Sequence, residues 1–175
     1  MWIFLGALGM LFAASIAGFL VVRLKAEAWP PPGMPRLPNG LWITTAILLA
    51  GSFTIQRALV SIRLGQIRNS ARWLTTTLIL GVLFLVSQMA NWWGLVTAQM
   101  TATTKNLYAF TFYMLTGLHA AHVSGGLILL AVVLSRTRRD RYGSGHHDGI
   151  TYAVMYWHFL GVVWCVLFGV LLIFA

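Results

Sequence analysis

Five apolar runs, at residues 2–22, 41–62, 73–96, 107–134 and 150–174, leave this chain few ways to fold. Each reaches the roughly 20 residues that an α-helix needs to cross a bilayer. Inside hydrocarbon a backbone must satisfy its own hydrogen bonds, so runs of this length point to helices. The expected fold is an all-α integral membrane bundle of five transmembrane helices. It is expected to be a single membrane domain over residues 1–175, because no connection between the runs has room for a soluble one. Composition agrees: 59% of the residues are hydrophobic, 9% are charged and the mean hydropathy is +0.80, unlike a soluble domain with a polar surface. The first run begins at Met1 with no basic segment ahead of it and ends in "VVRLK" without a small-residue cleavage site. It is expected to be a retained helix and not a signal peptide.

A net charge of +9 raises nucleic acid as a partner, but the twelve Lys and Arg residues lie in connections and helix ends. They form no face interleaved with exposed aromatics, and no nucleic-acid role is expected. Topology accounts for them. Arg57, Arg63, Arg68 and Arg72 surround the second connection and Arg136, Arg138, Arg139 and Arg141 the fourth, against Arg23, Lys25, Arg36 and Lys105 at the first and third. Under the positive-inside rule this places the second and fourth connections and the N-terminus inside, and the C-terminus outside.

The first connection carries "WPPPGMPRLPNG", whose prolines fix φ and favour a stiff strut between the first two helices. Trp73, Tyr108, Tyr142 and Tyr152 fall near helix ends, where interfacial anchors belong. Small residues recur at four-residue spacing: Gly117, Ala121 and Gly125 in the fourth run, and Gly161, Cys165 and Gly169 in the fifth. Such ridges let helix backbones approach closely where lipid supplies no hydrophobic drive. Gln88 and Asn91, three apart, share a helix face and are expected to hydrogen-bond across helices. Cys165 is the only cysteine, which excludes an intrachain disulfide, and its apolar surroundings suggest a small core residue.

The histidines carry the functional question. His119 and His122 lie in "TGLHAAHVSGG" on one helix face, so they cannot fill opposite axial positions of one haem. The partner for such a site would be His158, in "YWHF". At 1.5 Å per residue His122 lies about 18 Å, and His158 about 12 Å, from the same ends of their antiparallel helices, so the two can meet. Against a metal or quinone site stands the lack of intramembrane carboxylates: Glu27, Asp140 and Asp148, the only acids, all lie in connections. Structural hydrogen bonding is the favoured role of the helix-buried histidines, with haem or quinone chemistry the alternative. His146 and His147, in "YGSGHHDG", are expected to be solvated or near headgroups, with metal capture beside Asp148 as the alternative.

The segments "FYMLTGLHAAHVSGGLI" and "HHDGITYAVMYWHFLGVVW" closely resemble the last two helices of subunit III of the haem-copper terminal oxidases, the cytochrome c oxidase subunit III family. Thr116, Gly117, His119, His122, Gly126, Tyr156, Trp157, His158, Phe159, Val162, Val163 and Trp164 match that pattern in order and spacing. "MWIFLGALGMLFAA", the "WPPPG" strut and the segment from Gln88 to Trp92 are similar to the rest of the short, five-helix bacterial form. The resemblance implies a subunit of a respiratory terminal oxidase in a bacterial cytoplasmic membrane. It would hold no redox centre, and would pack against a subunit I that carries the haems and copper. It also implies phospholipids between the helices, and support for assembly, proton uptake and durability of the catalytic subunit. Longer members have two further N-terminal helices.

Four family carboxylates are replaced here, by Leu8 in the first helix, Asn91 in the third, and Thr151 and Gly161 in the fifth. A carboxylate-dependent role in proton or lipid handling is therefore not expected, whereas packing survives small and apolar replacements. A subunit III-like partner of a nitric-oxide reductase shares the same pattern. From a different class, a small haem-binding or quinone-interacting membrane protein would use His119 or His122 with His158.

Overall fold

A computed structural model of the chain describes residues 1–26, 29, 39–97, 107–143 and 145–174. The proline strut, Glu27, Arg36 and Lys105 lie outside the described residues. Five helices follow in order: α1 (Trp2–Lys25), α2 (Gly40–Arg63), α3 (Ile67–Thr97), α4 (Leu107–Arg138) and α5 (Asp148–Phe174). Each is long and apolar enough to cross a bilayer. Among the described residues, α2 packs on α3, α3 on α4, α4 on α5 and α5 back on α2, which closes a four-helix ring. Helix α1 stands outside that ring and leans on α4 and α5.

All five helices overrun their apolar runs, α3 and α4 the furthest. Helix α3 begins at Ile67, six residues before the apolar run, through "IRNSAR", and α4 continues to Arg138. Hydropathy measures the hydrocarbon layer, while helical hydrogen bonding continues past it into the headgroup zone.

The turn between α2 and α3 takes only three residues. Gly65, at φ 72°, donates its N–H to Ile62 O at 2.9 Å, and Gln66 donates to Ser61 O at 2.9 Å. Those two bonds form a Schellman cap, which needs a left-handed residue where glycine is cheapest. Polar contacts then zip the two helices together: the Thr54 and Thr77 hydroxyls meet at 2.8 Å, and Ser70 Oγ donates to Ala58 O at 2.9 Å.

The ring is filled by tryptophan. Trp157 is 2% exposed and lies against Gly51 of α2 and Gly81 of α3. A Cβ at Gly81 would stand 2.6 Å from Trp157 Cη2 and 2.5 Å from Leu127 Cδ2, so a side chain there competes directly with the indole. At Gly51 the corresponding approach to Trp157 Nε1 is 3.2 Å. Trp164, two turns further along α5, donates its indole N–H to Thr45 Oγ1 of α2 at 2.9 Å.

Several sequence expectations change in three dimensions. Cys165 is exposed on the outside of α5 and is not a core residue. Of the expected interfacial anchors, Tyr108 and Tyr142 are buried, at 4% and 7% exposure, while Tyr152 is exposed. Tyr108 is held edge-on by Trp29 at 4.9 Å, so it serves packing between connection and helix. Among the described residues the fourth-run ridge makes no close helix contact, the nearest approach of its glycines being 3.9 Å from a Cβ at Gly125 to Tyr156 Oη. Ala121 and Gly125 are exposed, and a Cβ at Gly117 would meet nothing within 4 Å. The close glycine of α4 is instead Gly126, where a Cβ would stand 3.0 Å from Tyr156 Cε1.

Candidate functional site

Of the family-like histidines, His119 of α4 is fully buried. Its imidazole lies 5.0 Å, centroid to centroid, from the Trp164 ring, 5.8 Å from Phe84 and 6.2 Å from Phe12. One histidine thus touches side chains from α1, α3 and α5. Neither ring nitrogen has a hydrogen-bond partner among the described residues. Its contacts are aromatic faces and edges, the geometry of packing.

Next to it, Thr116 is fully buried. Its hydroxyl donates to Phe112 O at 2.8 Å and accepts the indole N–H of Trp92 at 3.2 Å, which ties α3 to α4. A threonine hydroxyl can do both because it has one proton and two lone pairs. Gln88 lies on α3 between Phe84 and Trp92, one turn from each. It is 1% exposed, yet among the described residues neither its amide oxygen nor its nitrogen is engaged, and Asn91 Nδ2 is likewise unpartnered. Among the described residues the expected interhelical bonds from this pair are therefore not formed. Asn91 packs its carboxamide against Gly40 at the start of α2.

His122 faces α1. It is half-buried, its Nδ1 lies 2.8 Å from Leu118 O one turn back, and its ring lies 5.1 Å from Phe12. Its backbone carbonyl accepts the Tyr156 hydroxyl at 3.0 Å, joining α4 to α5. Tyr156 also stacks on Phe4 at 6.1 Å, and Phe159 lies beside Gly9, so α1 seats on the "YWHF" segment. Leu8 is partly buried against the same core.

His158 points elsewhere. Its Nε2 lies 3.2 Å from Gln56 Oε1 of α2, on the outer side of the α2–α5 pair. The meeting of His122 with His158 that helix depth allowed does not occur, because two residues along α5 turn Tyr156 toward α4 and His158 toward α2. Depth fixes only one coordinate of a helical residue; rotation fixes the other. Gln56, the partner that sequence reasoning missed, carries a weak signal: it is a lone amide inside an apolar run. Among the described residues no three His, Cys, Asp or Glu side chains gather to hold a metal.

The remaining positions are peripheral to this cluster. Gly161 is buried beside Ser52, Gly169 is half-buried with open space at its Cβ position, and Thr151 Oγ1 reaches His147 O at 3.4 Å. The His147 carbonyl accepts the N–H groups of Ile150 and Thr151 at 3.0 and 3.1 Å and so opens α5, while His146 is exposed.

The arginine-rich connections share one end of the bundle. Gly65, Gln66, Arg68 and Asn69 border the same hollow as Asp140, and Arg138 Nη2 donates to Thr75 Oγ1 of α3 at 3.1 Å. The eight arginines counted in the sequence therefore flank one end of the ring.

A family model described as cytochrome c oxidase subunit III matches residues 1–175. Among curated relatives, the cytochrome c oxidase subunit 3 of Synechocystis sp. is 38% identical over 168 residues, covering 95% of this chain and 70% of the relative. That of Thermostichus vulcanus is 34% identical over 172 residues, covering 98% and 84%. A probable cytochrome c oxidase subunit 3 of Mycobacterium leprae is 32% identical over 163 residues, covering 93% and 80%.

Proposed function

The chain belongs to the cytochrome c oxidase subunit III family, and from that premise we propose how it serves its complex. It is a multi-pass membrane protein and an accessory subunit of a haem-copper oxidase complex. Its role is to brace subunit I in a bacterial cytoplasmic membrane, with the arginine-rich end and the N-terminus in the cytoplasm and the C-terminus in the periplasm. It performs no redox step and holds no haem or metal. The haems and copper sit in subunit I, and phospholipids fill the hollows that its helices leave.

The observation that carries this reading is the environment of His119. A family-motif histidine that touches three aromatic rings from three other helices is a packing element. Thr116, Tyr156, Trp157 and Trp164 cross-link or fill the same core, and Gly126 gives Tyr156 its room. The outward small residues Gly117, Ala121 and Gly125 are left for contact with another subunit or with lipid.

Affinity purification of the tagged chain in mild detergent tests the reading. Subunit identification is expected to recover a haem-bearing, copper-containing oxidase subunit in equal amount. Recovery of the chain alone, or with a nitric-oxide reductase subunit, contradicts it.

A further inference from the structure

We draw no further inference here: the strongest candidate, the hollow on the outer face of α4 bordered by Ile128, Val132, Ser135, Arg136, Arg139 and Arg141, fits an anionic phospholipid headgroup and so restates an established property of the family.

Discussion

At the scale of the residue, burial without partners sets the expectations. Among the described residues Gln88 leaves both ends of its amide unengaged at 1% exposure, and such a group costs stability where an apolar side chain of similar shape does not. Gln88→Leu is therefore expected to hold or raise the thermal midpoint of the purified complex; a drop of several degrees would mean that the amide has a hydrogen-bonding role. His119 differs because it fills space among three rings. His119→Ala is expected to cost about 2–4 kcal/mol as a large-to-small core change, with the haem spectrum of the complex unchanged. Among the described residues the helices contain no acid except Asp148 at the very start of α5. A hydrophobic carbodiimide, which needs a neutral carboxyl in an apolar site, is thus expected to leave the interior of every helix unlabelled. Leu8→Glu is expected to introduce a labelled site on α1, read as a mass adduct.

At the scale of the element, added bulk at a small residue has opposite consequences on two helices. Gly81→Leu drives bulk against Trp157 and Leu127 and is expected to destabilise the bundle by about 1–3 kcal/mol or more. Ala121→Leu places its bulk on an exposed face and is expected to leave the isolated chain as stable as before. Loss of the Ala121→Leu chain from the complex, with normal stability alone, would show that this face meets another subunit. Full retention would assign it to lipid. The sequence made the ridge legible but not its direction, because α4 is apolar nearly all round and its period carries little information on which side is inside. The five helices were legible for the opposite reason: bilayer thickness imposes a length that composition alone reveals. Their overrunning ends, the pairing of His158 with Gln56 across 102 positions and the outward turn of Cys165 depend on helix rotation and partner choice, which no local signal encodes.

At the scale of the whole molecule, two asymmetries organise the chain. Arginines crowd one end of the ring, where the second and fourth connections meet. Reporter fusions after residue 174 and near Gly143 are expected to report periplasm and cytoplasm respectively, and a cytoplasmic signal from the C-terminal fusion would invert that topology. The other asymmetry is lateral: α1 flanks a closed ring of four helices whose centre is filled by tryptophan and histidine. Among the described residues no three His, Cys, Asp or Glu side chains of this bundle gather. The most direct measurement is the visible spectrum of the two fractions after the chain is stripped from its complex. The account predicts the full haem absorbance in the remaining subunits and no Soret band in the separated chain. A Soret band in stoichiometric amount with the separated chain would contradict it.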